Sequence, residues 1–437
     1  MRLICDFHIH SKYSRATSKN MDLEHLLEWA KYKGVGILGT GDFTHPFWFD
    51  ELKNKLEPLG NGFFKFKNSR EKFPLFILTT EVSCIYSEGG KLRKIHLLIF
   101  APSFKTVALI NERLSDFGNL YADGRPTFSL SAYDLLQLIL NIDENCFVVP
   151  AHVWTPWFSL FGANSGFDSI KECFKDLSSY IYALETGLSS DPEMNWRISA
   201  LDKICLISNS DSHSPSNIAR EANVFEIKDI EDFSYQKLIE LIKNSAPFNR
   251  KPAQESDKFL YTIEFFPEEG KYHFDGHRNC GLRMSPKEAI KNNNICPKCG
   301  KPLTIGVLHR VEALADREEG FKPKNAVDSV HLVPLIEIIA EALGQNKNSK
   351  AVEAQYFDLI FRFDSEFSIL LEKSEEELKK GGCPPNILEG ILKARKGDVL
   401  KIPGYDGIYG KISVFGKGVD KEKKMEYTKE EEQMRLF

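Results

Sequence analysis

The sequence predicts an α/β chain in three parts. Residues 1–245 form a strand–helix alternating domain, 258–305 a small zinc-binding module, and 306–415 a mostly helical C-terminal domain. Three observations lead there. Short apolar runs alternate with helical patterns up to about residue 245, as in a parallel sheet or barrel. Three cysteines and a histidine crowd into 277–299. Beyond 306, apolar residues recur at helical spacing.

In chain order, strands are expected at Leu3–Phe7, Val35–Gly39, Leu75–Val82, Lys94–Phe100, Cys146–Ala151, Ala183–Glu185, Cys205–Ser208 and Asn223–Ile227. Between many of them lie helical patterns such as Leu23–Lys33, Ser131–Leu140 and Tyr235–Asn244. A polar, Pro-containing stretch at 245–257 suits a linker. Helical periodicity runs through Val330–Leu343 and Tyr356–Leu371. Val399–Phe415 reads as two strands around Pro403-Gly-Tyr-Asp-Gly407, because β-branched residues flank the turn. The tail, 416–437, is mostly charged until its last five residues.

At 437 residues the chain exceeds one ordinary domain. Its 42% hydrophobic and 27% charged content is that of a globular protein. A net charge of −5 excludes a globally basic nucleic-acid binder, so any such contact must come from local patches. Bound cations would offset some of that negative charge. No apolar run reaches the roughly 18 residues of a membrane span, and the N-terminus has no signal-like stretch. Nine cysteines in a chain this long do not make a disulfide scaffold. Six of them (Cys5, Cys84, Cys146, Cys173, Cys205 and Cys383) are scattered as reduced core cysteines are. The expected location is cytoplasmic and nucleoid-associated.

The chemistry starts from His8-Ile9-His10 near the N-terminus and Asp211-Ser212-His213 two hundred residues on. In His8-x-His10 both rings face one pocket if Ile9 points away. Asp42 follows one apolar strand, Glu81 ends another, His96 lies inside a third and His152 follows a fourth. Imidazole nitrogens and carboxylate oxygens together suit Zn, Mn and Fe, and the carboxylates also suit Mg. Any one such histidine is more often structural than a ligand, and His25, His309 and His331 are read that way. Eight such residues in one alternating domain point to a cluster, with His45 as an alternative to Asp42.

The set His8-x-His10, Asp42, Glu81, His96, His152 and Asp211-x-His213 resembles the polymerase-and-histidinol-phosphatase (PHP) family. That resemblance implies a distorted (β/α)7 barrel holding up to three divalent metals (Zn, Mg or Mn) and hydrolysing phosphoesters. It makes those eight residues metal ligands, with Glu81 bridging and with Asp211 and Glu81 catalytic. Where many members carry a further acid, this chain has Ser14-Arg15-Ala16. Arg15 cannot bind a metal but suits a phosphate, so it joins the catalytic set. The segments Thr186–Arg197 and His152-Val-Trp-Thr-Pro-Trp157, with the domain order, are similar to the endonuclease Q family. This second resemblance implies nicking of DNA on the 5′ side of deaminated bases (uracil, hypoxanthine, xanthine) and abasic sites.

His277-x2-Cys280 and Cys296-x2-Cys299, 15 residues apart, have the ligand types and paired spacing of structural zinc. His273 competes with His277 for the fourth position. Arg278, Arg283, Lys298 and Lys301 lie near enough to touch phosphates. Trp154 and Trp157, behind His152, and Asn195-Trp196-Arg197 are where a pocket for an extruded base is expected. Gln433, Leu436 and Phe437 resemble the pentapeptide by which bacterial proteins bind the replicative sliding clamp, an extended tail laid in an apolar cleft. Two rival readings are a PHP phosphatase acting on a small phosphomonoester and a non-catalytic adaptor that marks damaged DNA.

Overall fold

In a computed structural model, which describes residues 1–250 and 257–416, the expected strands form at Arg2–Asp6, Ile37–Gly39, Leu75–Glu88, Lys91–Ala101, Phe147–Pro150, Ala183–Glu185, Cys205–Ile207 and Ala222–Glu226. The alternation predicted a parallel arrangement, and here the fold departs from it. Lys91–Ala101 runs antiparallel to Leu75–Glu88, and Ala222–Glu226 antiparallel to Arg2–Asp6. The ring closes through isolated hydrogen bonds, some from side chains, rather than ladders. Val153 N donates to Glu185 O at 3.1 Å, and Ser208 N to the Asn223 side chain at 3.0 Å. The barrel is therefore a distorted one.

Alternate residues fill it. Leu3, Cys5, Phe7, Ile37, Leu75, Ile77, Leu98, Phe100, Val149, Ala183, Cys205, Ile207 and Phe225 share one buried core. Helix Tyr235–Lys243, capped by Ser234, packs Tyr235, Leu238 and Ile242 into it. It enters from the end opposite His152, since the Tyr235 hydroxyl donates to Asn145 O at 2.8 Å, ahead of strand Phe147–Pro150. A helix showing apolar residues at i, i+3 and i+7 gains most of its stability from such packing. The six scattered cysteines are all buried and unpaired.

The strand pairings shift two of the expected segment assignments. Strand Lys258–Glu264, which the sequence assigned to the zinc module, pairs antiparallel with Ala222–Glu226. Asp328–His331, assigned to the helical domain, pairs parallel with it. The main sheet thus takes a strand from each later segment. The Cys/His module lies between these two strands, with hairpin Asp275–His277/Leu282–Met284 and helix Pro286–Lys291. Helices Leu335–Leu343, Lys350–Phe363 and Pro385–Arg395 follow, and Leu400–Ile402 pairs antiparallel with Lys411–Ser413. A buried ion pair joins helical region to barrel: Glu366 accepts from Lys33 Nζ at 2.6 Å, Tyr356 Oη at 2.7 Å and Leu335 N at 3.0 Å. Among the described residues no helix is long and apolar enough to cross a membrane. Gln433, Leu436 and Phe437 lie outside the described residues.

Candidate metal centre

At the rim of the barrel His8, His10, Glu81 and Asp211 place a ligand atom each within 4.8 Å of one another. Glu81, His96 and His152 do the same. Glu81 belongs to both groups. Its Oε2 lies 3.3 Å from His10 Nε2 and 3.6 Å from His8 Nε2, while its Oε1 lies 2.6 Å from His96 Nδ1 and 2.9 Å from His152 Nε2. A carboxylate with one oxygen toward each group would serve both if cations were held there.

The barrel explains the convergence. Glu81 continues the inward file Leu75-Ile77-Thr79. His96 lies inside its strand, as expected. It sits within Lys91–Ala101, whose reversed direction pairs it with Ser83 at the same rim. Asp42, His152 and Asp211 have positive φ of 48°, 31° and 47°. Non-glycine residues in this region carry strain of order 1–3 kcal/mol and persist only where their surroundings hold them. Gly41 lets that loop pass, since a Cβ there would meet Ile9 O at 2.2 Å.

Burial alone would keep these groups neutral, and their neighbours reverse that. Burial opposes charge on His8, but Glu185, Glu81 and Asp211 raise its pKa well above the ordinary value. Burial likewise opposes charge on His10, and Asp42 with Asp211 and Glu81 raises it. Glu81 is pushed up by burial, yet His96, Arg125 and His8 hold it well below the usual carboxylate range. Burial lowers His96 to about 4 despite Glu81. Such a dense set of mutually charged, buried groups is typical of a functional site.

The ligand set fits divalent cations. His8 Nε2 is buried with no hydrogen-bond partner among the described residues, 3.6 Å from Glu81 Oε2 and from Asp211 Oδ1. The other face of the ring is held by Glu185, 2.9 Å from Nδ1. This carboxylate–imidazole pairing fixes a ligand's tautomer and orientation. The sequence reading passed over Glu185 because its strand end carries no histidine; only its place after Ala183-Leu184 could have flagged it.

Asp42 plays the same part behind His10. Its Oδ1 is 3.0 Å from His10 Nδ1, and its Oδ2 accepts from Ser11 N, Ser11 Oγ and Ser14 Oγ. Both oxygens are thus committed, and the geometry gives Asp42 a supporting place rather than the ligand place expected of it. His213 stands at the margin, its ring 4.5 Å from that of His10 and its Nδ1 2.8 Å from Asp211 O. His45 stacks on Tyr13 at 4.4 Å instead of joining the cluster. Arg15 is also displaced from its expected role: its side chain is 82% exposed and its Nε lies 3.3 Å from Asp123 Oδ2. The arginine that enters the site is Arg125, with Nη1 3.0 Å from Glu81 Oε2. No local motif marks it, since its loop reaches the rim only through tertiary contacts such as Gly124 N to Tyr13 O at 3.1 Å.

The second expected site also assembles. His277, Cys280, Cys296 and Cys299 place their ligand atoms within 4.8 Å of one another, whereas His273 stacks on Phe274 outside the group. Gly281 and Gly300, at φ 56° and 71°, make the turns after each pair. Two of the basic residues there are occupied: Arg283 Nη1 donates to Pro403 O at 3.0 Å and Lys298 Nζ to Cys280 O at 2.8 Å.

The comparisons with known proteins bear on this geometry. Residues 334–398 match the family model of the MJ0043 C-terminal domain. Protein MJ0043 of Methanocaldococcus jannaschii is 33% identical over 293 residues, 66% of this chain but only 33% of that relative's length. YqxK of Bacillus subtilis is 28% identical over 94% of this chain and 99% of its own. The lesion-specific endonuclease PfuEndoQ from Pyrococcus furiosus superposes with a TM-score of 0.81 and 32% identity, covering 94% of this chain and 95% of that one. The chain belongs to the endonuclease Q family. Its enzyme class is that of an endonuclease. A solved endonuclease Q in complex with a 27-mer duplex bearing an abasic lesion at its active site matches with a TM-score of 0.79 and 32% identity, over 94% of this chain and 96% of that one.

Four of the five residues expected to line a base pocket are buried in this structure. Trp154 is 1% exposed and donates its indole N–H to Asn195 Oδ1 at 2.8 Å. Asn195 is buried and gives its amide to Asp191 O at 2.8 Å. Trp196 is buried, and Arg197 pairs with Glu312 at 2.7 Å. The polar groups of Trp154, Asn195 and Arg197 are held by contacts that brace the 192–197 turn and dock helix Val307–Leu314. Trp157 remains open at 42% exposure, edge-on to Tyr272 at 5.8 Å.

Proposed function

We propose that this endonuclease Q family member hydrolyses the DNA phosphodiester 5′ of deaminated bases and abasic sites, as a repair nuclease of the nucleoid in the cytoplasm. The observation that carries the reading is Glu81 spanning two histidine groups, with His8 Nε2 buried and unpartnered between acids. Support for DNA as substrate comes from the relative whose structure holds an abasic duplex at its active site.

His8, His10, Glu81, Asp211, His96 and His152 would hold the cations, with His213 at the edge. Divalent ions held there would supply Lewis acidity, lowering the pKa of water toward about 7 and offsetting charge on the oxygens of an in-line displacement. The chain's own groups prepare that site. Glu185 and Asp42 aim the His8 and His10 rings. Arg125, held in place by Glu81, adds positive charge that faces a phosphate entering the rim. Arg15, exposed beside Asp123, meets the backbone further out. Trp157 offers the open aromatic surface for an unstacked base. A zinc held by His277, Cys280, Cys296 and Cys299 stiffens a module whose role is docking. The last five residues, with Gln433, Leu436 and Phe437, bind the sliding clamp.

The test incubates pure protein with end-labelled duplexes carrying one uracil, hypoxanthine or abasic position, with and without added divalent metal, beside a generic phosphomonoester. Metal-dependent nicking 5′ of the lesions is expected. Turnover of the phosphomonoester with intact duplexes favours the phosphatase reading. Tight lesion binding with no cleavage favours the adaptor.

A further inference from the structure

A cavity of about 240 Å³ opens where the barrel meets the helical region, outside both metal groups. Its barrel wall begins at Ser214, the residue after His213, and continues through Ser216, Asn217 and Arg220. The opposite wall carries Lys347 and Asn348, from the segment between helices Leu335–Leu343 and Lys350–Phe363. Lys33, at the end of helix Leu23–Lys33, also lines it.

The charges here do not cancel. Lys33 Nζ is tied to Glu366 at 2.6 Å, and Lys347 Nζ to Glu337, a further lining residue, at 3.1 Å. Arg220 differs. Its guanidinium rests on the Phe265 ring, 4.2 Å from the centroid, and makes no hydrogen bond or ion pair with any described residue. Its Nε is buried in that state. Two further acids feel its charge, but burial pushes Glu269 up to about 8 and Glu221 well above the carboxylate range, so neither offsets it at neutral pH. A desolvated guanidinium without an acceptor is costly, and its planar donors match phosphate oxygens. Around it the Ser216 hydroxyl and the Asn217 and Asn348 amides make no hydrogen bond to any described residue. One unopposed cation ringed by free hydroxyl and amide groups suits a tetrahedral oxyanion. The volume falls below the roughly 300–1,000 Å³ of a pocket for a drug-sized ligand. It has room for a phosphate and its sugar, not for an entire dinucleotide.

We propose that Arg220, with Ser216, Asn217 and Asn348, binds the phosphate group of a nucleotide at the joint between barrel and helical region. Two sources share that chemistry: a backbone phosphate of DNA other than the one at the metal centre, and a free nucleotide. The DNA source rests on the nuclease reading above; the free nucleotide does not. In either case the ligand joins the loop that follows Asp211-x-His213 to Asn348, inside the segment 334–398 that matches the MJ0043 C-terminal domain.

The experiment measures binding by the full-length protein in an Asp211→Asn background, which keeps DNA intact, with and without Arg220→Gln. Barrel metal content should be equal in the two. Thymidine 5′-monophosphate is one probe, and an abasic duplex titrated over a series of salt concentrations is the other. If DNA is the source, Arg220→Gln makes the slope of log affinity against log salt shallower by about one, as losing one phosphate contact does. If a free nucleotide is the source, affinity for the monophosphate falls about 10–100-fold, the range of one hydrogen bond to a charged group. A folded Arg220→Gln protein in which neither readout moves overturns the proposal. Should loss of the Phe265 contact prevent folding, Asn348→Asp places a negative charge on the cavity wall from an exposed loop. It should weaken binding of the same probe, and unchanged affinity for both overturns the proposal equally. Failure to bind any duplex removes the nuclease reading alone, and the monophosphate titration then decides whether the cavity takes phosphate.

Discussion

Glu185 tests how far the orienting carboxylates matter. It touches no expected cation, yet it holds His8 Nδ1 at 2.9 Å and accepts from His152 N at 2.8 Å. Glu185→Gln should weaken barrel metal affinity by about 10–100-fold, the usual effect of losing such a partner, measurable by titration of the chelator-treated protein. Unchanged affinity would remove it from the site. Arg125→Ala should slow nicking with metal content unchanged, whereas Arg15→Ala should act mainly on the salt dependence of DNA binding, because Arg15 is exposed and outside the cluster. Legibility at this scale was uneven. His8, His10, Glu81, His152 and Asp211 were readable because strand ends put acids and imidazoles where chemistry sits, and His96 because a histidine inside an apolar strand stands out. Asp42 was found but its role was not, since only the fold shows both oxygens used. Arg125 and Glu185 lacked a local pattern altogether. The tryptophan–asparagine segment is ambiguous in sequence because aromatic and amide groups serve equally well as core braces, the part Trp154 and Asn195 play here.

At the scale of elements, the metal residues owe their placement to strand direction. Histidine 96 reaches the rim only because Lys91–Ala101 is antiparallel, something that apolar runs cannot reveal, since both directions bury the same side chains. Strand Lys258–Glu264 was missed for a related reason: a polar linker precedes it, and its pairing with Ala222–Glu226 is long-range. The helix that plugs the barrel gives a stability prediction. Leu238 is fully buried in Tyr235–Lys243, and Leu238→Ala should cost about 2–5 kcal/mol in denaturant unfolding without altering metal content. The zinc knuckles behave differently. Cys296→Ser should lose the module's zinc and weaken DNA binding while barrel metals stay; equal zinc content in that variant would contradict the assignment.

Across the whole molecule, protons and cations compete for one set of buried ligands. His8 and His10 have raised pKa values in the metal-free protein, so they retain protons near neutrality. Their pairing with acids stabilises the metal-free fold fully below the ordinary histidine value of about 6.5 and is lost as pH rises through the raised values. Metal requires the neutral rings, so loading should release protons at pH 7 and tighten as pH rises. Calorimetry in two buffers of different ionisation enthalpy measures that release, and equal heats would contradict it. The central claim is that the rim acids and imidazoles perform hydrolysis through cations that they hold together. Asp211 lies 3.0 Å from His10 Nε2 and 3.6 Å from His8 Nε2, at the heart of that set. The most direct measurement is single-turnover nicking of an end-labelled abasic duplex by Asp211→Asn beside the parent protein, with DNA affinity measured on the same preparations. The account predicts cleavage reduced to background while binding persists; cleavage at the parent rate would contradict it.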